Sequence, residues 1–188
     1  MACISQTIKQ DHREIEAIYD QIVSSTDRDE QIRWQNLFVW ELARHSVGEE
    51  IVVYPAFEKH VKHVGVEMAK RDREGHQAVK EQLKNFQQLD PSNGDFLSAI
   101  TALMDDLAVH MKEEETKDLV MLEDALSEHD SHALSKAFTR TKIFVPSRAH
   151  PHVPNKPPME TAVGLLTAPF DQVGDLFRKW PRKSQIPT

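Results

Sequence analysis

Through the first 145 residues apolar side chains recur every third or fourth position, and no stretch sustains the alternation of a half-buried strand. This spacing predicts an all-α chain of four long helices and a shorter fifth. The first spans residues 4–25, with Ile4, Ile8, Ile15, Tyr19 and Ile22 on one stripe. The second follows Thr26 or Asp27, either of which can cap it, and carries Phe38, Leu42 and Val52 inward before Pro55 bends or loosens its end. The third runs over residues 65–89 with Ala69, Val79, Leu83 and Phe86 inward. After the turn sequence Asp90 to Gly94, the fourth places Phe96, Ile100, Leu103, Leu107 and Met121 on its stripe. The last helix, residues 131–144, is expected to pack across one end. Short connections between long helices make neighbours antiparallel, which predicts an up-down-up-down four-helix bundle.

Proline placement sets the limits of this pattern. Of ten prolines only Pro55 and Pro91 precede residue 146, so a boundary near Val145 divides a helical domain, 1–145, from a Pro-rich C-terminal extension, 146–188. The extension opens with PSRAHPHVPNKPP, which reads as extended and polyproline-like. Residues 168–180 are expected to form one short amphipathic helix. Its Phe170, Val173, Phe177 and Trp180 would lie on one face that straps back onto the bundle, since exposed aromatic patches are disfavoured.

Each of the four long stripes is interrupted by ionisable residues. In the series Ile4, Ile8, His12, Ile15 the histidine points inward. On the second helix Phe38, Leu42, His45, Glu49 and Val52 share a face, with His45 and Glu49 one turn apart. His76 precedes Val79 and Leu83 on the third, and Leu103, Leu107, His110 and Glu114 repeat the His-x-x-x-Glu spacing on the fourth. Counted from the turns, all six fall within about one helical turn of the same depth. A lone histidine on an apolar stripe is ordinarily a hydrogen-bonded core residue. Two carboxylates and four imidazoles in one layer are different, because burying each charge costs several kcal/mol in a domain stable by only ~5–15 kcal/mol. A bound cation compensates most economically; a metal-free His–Glu hydrogen-bond network is the alternative.

The donor types narrow the metal. Six ligands exceed the four of a structural zinc site, and two glutamates can each bridge, which favours two ions. Imidazoles argue against magnesium and calcium, and the lack of sulfur ligands argues against Cu(I). Two iron ions fit best, with manganese or zinc as substitutes. The Glu-x-x-His motifs of ferritin-like carboxylate proteins are not the spacing seen here.

Charge and cysteine content exclude other classes. A net charge of −7 gives no electrostatic case for nucleic acid, and no apolar run is long enough for membrane insertion. One cysteine, Cys3, allows no internal disulfide or CxxC pair, which suits a reducing, cytoplasmic setting for a soluble protein. His60, His63, His129, His132, His150 and His152 read as solvated. Within Glu113–Glu115 only Glu114 is expected to be buried, though Glu50 or Glu113 would be placed to orient an imidazole.

The order His, His-x-x-x-Glu, His, His-x-x-x-Glu, with the strings DHRE at Asp11, HSVGEEIVVYPAFEKH at His45 and HMKEEE at His110, resembles the hemerythrin-like, or HHE cation-binding, family over residues 5–125. The Pro-rich extension resembles that of eukaryotic single-domain members. The resemblance implies a di-iron site with His12, His45, His76 and His110 as terminal ligands and Glu49 and Glu114 as bridges. Oxygen-carrying hemerythrins have a fifth histidine one turn from the counterpart of His76, where this chain has Asp72 and Lys80. That departure points to the iron- and oxygen-sensing branch. Two functions are expected on this basis: a non-haem di-iron protein binding or sensing O2, a related small molecule, or iron or redox state; or an oxidase or oxygenase that activates O2 against a small metabolite. Metal-dependent O2 consumption, and a cavity lined by residues such as Trp34, Phe38 or Trp40, would mark the enzyme. Iron storage would need a cage that one acidic bundle does not suggest.

Overall fold

The computed structural model describes residues 2–151 and 168–186. Four antiparallel rods make the bundle: α1 (Ile4–Ser24); α2 (Arg28–Gly48) continued by α3 (Tyr54–His60); α4 (Gly65–Phe86); and α5 (Phe96–Glu113) continued by α6 (Leu119–Ala125). Asp27 caps α2, accepting from the N–H groups of Asp29 and Glu30 at 2.7 and 3.2 Å. A seventh helix, α7 (Glu128–Phe144), starts at Ser127, whose Oγ accepts from the N–H of Asp130.

Two apolar clusters fill the bundle. One holds Ile15, Ile22, Phe38, Leu83, Phe86 and Leu103; the other holds Ile4, Ile8, Tyr54, Phe57, Leu119 and Phe138. The polar layer expected from the stripes lies between these clusters, walled from water at both ends. Against expectation, α7 does not cross an end. It lies along α1 and α2, with Ser131 Oγ accepting from the Ile4 N–H at 3.0 Å near its start and the Lys142 carbonyl accepting from Arg44 at 2.5 Å near its finish. Gly48 permits this approach: a Cβ there would stand 2.8 Å from the Phe138 ring. Gly48→Ala should therefore destabilise the fold by roughly 1–2 kcal/mol despite alanine's higher helix propensity, because overpacking outweighs it. Thermal denaturation of the purified variant measures this.

Two π turns change the register of the long rods. Glu49–Val53 and Glu114–Asp118 each open on a glutamate whose carbonyl accepts the N–H five residues on, from Tyr54 and Leu119 respectively. In the first, the widened turn gives room for the Pro55 ring, which would otherwise meet the carbonyl four residues back. Near the second, the Thr116 hydroxyl donates to the Lys112 carbonyl at 2.6 Å, a local bond that competes with the helix ladder. Each extra residue rotates the helix beyond it, so Val53 and Tyr54 are buried where Val52 was expected, and Leu119 and Leu122 where Met121 was expected. Met121 is exposed.

Residues 145–149 run non-helically across the bundle and are buried, with Arg148 donating to the Asn36 carbonyl at 3.3 Å. The expected helix is present over 168–175, but its polarity is opposite to that predicted. Asp171 and Asp175 face inward to His150 and Arg148 at 2.9 and 2.6 Å, and Ser147 adds a contact to Asp175 at 2.5 Å. Phe170, Val173 and Phe177 point to solvent, and of the predicted apolar face only Trp180 packs, edge-on against Trp40 at 6.2 Å. Ion pairs and ring packing hold this segment, so helical periodicity alone did not reveal its orientation. The rest of the proline-rich stretch, with His152, lies outside the described residues.

Candidate metal centre

The six residues of the polar layer converge because their four rods present them at one depth, midway between the two apolar clusters. His12, His45, Glu49, His76 and Glu114 are buried and His110 is partly so. Two rings, His12 and His45, pack edge-to-face at 4.9 Å, and His76 and His110 do the same at 4.8 Å. Glu49 stands between the pairs. Its Oε1 is 3.3 Å from His45 Nε2 and its Oε2 is 3.3 Å from His76 Nε2, so one carboxylate addresses both. Glu114 Oε2 lies 3.5 Å from His12 Nε2.

Two sets of ligand atoms fall within 4.8 Å of one another: His12, His45 and Glu49, and Glu49, His76 and His110. They share Glu49. His12 Nε2 and all four carboxylate oxygens of Glu49 and Glu114 are buried with no donor group to satisfy them, and only a proton shared between the two carboxyls could link them. A native core rarely leaves so many polar atoms unsatisfied, and a closed His–Glu network would have paired them. His76 Nε2 and His110 Nε2 face each other at 3.0 Å, two imidazole nitrogens aimed at common space. The donor set therefore fits bound metal and fits a metal-free hydrogen-bond network poorly.

Carboxylates behind the rings fix their orientation. Asp11 reaches His45 Nδ1 at 3.3 Å, Glu115 reaches His12 Nδ1 at 2.8 Å, and Glu50 lies 3.5 Å from His76 Nδ1 while pairing with Lys80. Such partners fix the tautomer that presents Nε2 to a metal. Glu50 was anticipated. Glu113 instead pairs with Lys117 on the surface, and Glu115, expected to be solvated, is turned inward. Asp11 and Glu115 were legible only as acidic neighbours of a ligand, in Asp-His and Glu-Glu doublets.

Tyr54 was not anticipated at all. Its hydroxyl is buried 2.8 Å from His76 Nε2, brought there by the first π turn. Asp72 and Lys80, which flank His76 by one turn, are both buried, Lys80 against Glu50 and Asp72 against Arg71. Among the histidines read as solvated, His63 and His129 are exposed, His63 in a left-handed turn with φ 69°; His60 and His132 are half-buried, and His150 is tied to Asp171. Trp34 and Phe38 pack in the core and Trp40 against Trp180, so none lines a chamber at the centre. A cavity of about 20 Å³ lies instead under the crossing segment, bounded by Ser46, Val79, Lys80, Pro146 and Ala149, and none of the six residues lines it. That is room for one or two small atoms.

Burial and mutual repulsion set the protonation of the donor set. Burial, then the Glu114 charge, pushes Glu49 well above the carboxylate range. Burial, then Asp72, raises Glu114 to about 8. Burial, then the neighbouring rings, holds His12 and His110 well below the usual imidazole range, and burial also lowers His76. A cation binding here displaces carboxyl protons, so affinity rises with pH. The metal-free protein should show the converse in its stability. Well above pH 6.5 the histidines of both states are neutral, but folded Glu49 and Glu114 retain protons that the unfolded chain, with its ordinary value of 4.5, has released. Stability then falls as pH rises to about 8, by on the order of 2 kcal/mol. Below 6.5 the unfolded histidines gain protons that the folded ones refuse, and stability falls again with acid. Melting curves in chelator should show stability declining from neutral pH toward 8, and this alkaline decline should vanish once metal is bound.

Comparison with known proteins agrees with this geometry. The family described as Hemerythrin HHE cation binding domain matches residues 3–122. The chain is 51% identical over 181 residues to an uncharacterized hemerythrin-like protein of Schizosaccharomyces pombe, covering 96% of this chain and 89% of that one. The crystal structure of a Hemerythrin HHE cation binding domain-containing protein from Mycobacterium kansasii, a homolog of Rv2633c, superposes with a TM-score of 0.66 over 76% of this chain and 86% of that chain; at 16% identity this likeness speaks for the fold alone.

Proposed function

The chain belongs to the hemerythrin HHE cation-binding family, and from that premise we propose that it is a non-haem di-iron protein that binds or senses O2, a related small molecule, or iron or redox state. The observation that carries this reading is the pair of three-residue donor groups joined through Glu49. His12 and His45 would hold one ion and His76 and His110 the other. Glu49 and Glu114 would bridge them, their four oxygens having no donor group to satisfy them. The Tyr54 hydroxyl, 2.8 Å from His76 Nε2, would be available as a further oxygen donor on that side in place of the missing fifth histidine. A bound iron pair supplies one-electron chemistry and open positions for small ligands.

The protein's own residues then set access to the centre. Asp11, Glu115 and Glu50 hold the imidazoles in their ligating tautomers. The apolar clusters on either side keep bulk water out.

The test is elemental analysis of protein purified without added metal, with its optical spectrum. About two irons per chain with near-ultraviolet ferric charge-transfer absorption is the expected result. One zinc, or no metal, would sink the proposal. His129→Ala, at an exposed position, should leave both readouts unchanged.

A further inference from the structure

At the edge of the centre stand two carboxylates that neither ligation nor packing explains. Asp72 on α4 and Asp118, the last residue of the second π turn, are both buried, and both are held by the single half-exposed guanidinium of Arg71. Arg71 donates to Asp118 Oδ2 at 2.7 Å and to Asp72 Oδ1 at 3.1–3.2 Å. Asp72 Oδ2 is buried with no hydrogen-bond partner. Two buried carboxylates under one cation leave a surplus negative charge, and a purely structural bridge would need only one of them.

That surplus sits against the centre. Asp72 precedes His76 by one turn, Asp118 follows Glu114, and after burial the Asp72 charge is the largest influence raising Glu114. Asp72 itself is raised to about 6, by burial and then by Asp118, with Glu113 at the surface adding to the effect. Asp118 and Asp72, joined through Arg71, thus lie within electrostatic reach of Glu113 at the surface and of Glu114 at the centre. Among the described residues several other approaches are occupied. α7 covers His45 through Phe138, at 6.0 Å, and the Lys142–Asp11 pair; Glu115 is engaged with His12 and Arg13; residues 146–149 lie over the Lys80 side.

We infer that the Asp72–Asp118 pair beneath Arg71 is a loading port that passes divalent cations from solvent to Glu114 and Glu49. In the free protein Arg71 pairs with both carboxylates and covers them. An arriving divalent cation displaces the guanidinium, whose exposed side chain can swing into water, and is handed from Asp118 to Asp72 Oδ2 and on to the bridging carboxylates. This inference rests on the centre binding metal but not on which small molecule it serves.

The experiment is stopped-flow uptake of Co(II) by the metal-free full-length chain, read by cobalt visible absorption, with end-point stoichiometry and a melting curve for each variant. Asp118→Asn and Asp72→Asn should each slow uptake roughly tenfold at low salt, the scale of an electrostatic steering effect, with the same cobalt content at the end. Arg71→Ala should speed uptake, and Asp105→Asn, an exposed carboxylate elsewhere on α5, should not change it. Wild-type rates in the aspartate variants overturn the port, as does slower uptake in Arg71→Ala. Lower final occupancy in Asp118→Asn would make the residue structural or ligating and overturn it equally. If the aspartate variants fail to fold, Arg71→Ala decides alone, and an unchanged rate there rejects the port. A wild-type chain that takes up no cobalt removes both the port and the metal centre, whereas normal end points with unaltered rates remove the port only.

Discussion

A Glu49→Leu protein should bind neither cation, while His12→Ala should retain one. Glu49 belongs to both donor groups, so its removal takes a ligand from each ion and the bridge between them, whereas His12 serves only one side. The stability of the metal-free protein should move the other way. In the absence of metal Glu49 is a fully buried carboxyl beside Glu114 with no donor group to satisfy it, and a leucine of similar volume removes that penalty. The metal-free variant is therefore expected to melt at or above the temperature of metal-free wild type. Metal analysis and paired melting curves check the two halves. A variant that loses metal and also melts well below metal-free wild type would show that Glu49 is needed for folding rather than for cation binding.

Removing the metal from wild type should have the next largest effect. A ligand present at about 1,000 times its dissociation constant stabilises by ~4 kcal/mol, and a domain of this size shifts by roughly 2–4 °C per kcal/mol. Chelation should then lower the melting temperature by roughly 10 °C or more. The loss should be local in origin, because the cations neutralise a layer that divides the core in two. Hydrogen exchange should show the weakened protection first around Glu49–Val53 and Glu114–Asp118, where the helical ladder is already interrupted by π turns. Equal melting temperatures with and without chelator would contradict the proposal.

Much of the centre was legible because helix periodicity is a local property. Ile4, Ile8, His12 and Ile15 had to share a face whatever they packed against, and the same holds for Leu103, Leu107 and His110. The depth of each ligand came from counting residues from turns, since rise per residue is nearly constant. The errors began where that constancy fails. Met121 was placed inward by counting through Glu114–Asp118 at the α-helical period, and the π turn carried it to the surface. Tyr54 escaped notice because the same kind of insertion before Pro55 turned it from the expected flank to the centre.

The acidic residues behind the imidazoles were missed for a different reason. Asp11 and Glu115 sit next to ligands in sequence, about 100° around the helix, where an isolated rod faces solvent. Whether that flank is wet depends on the neighbour. α7 closes over Asp11 with Lys142 and Phe138, and α1 brings His12 and Arg13 to Glu115. The helix at 168–175 makes the same point, because its apolar face is outward and its aspartates are held by Arg148 and His150 from a segment some twenty residues earlier.

The sequence by itself therefore determined the helical class, the four rods and the inward placing of six polar residues, all of which depend on spacing along one chain. Tertiary structure alone decided the π-turn register, the inward Tyr54, the carboxylates behind each ring, the course of α7 and the polarity of the C-terminal helix. These depend on contacts between segments far apart in sequence, where packing and the pairing of buried charge outweigh local periodicity.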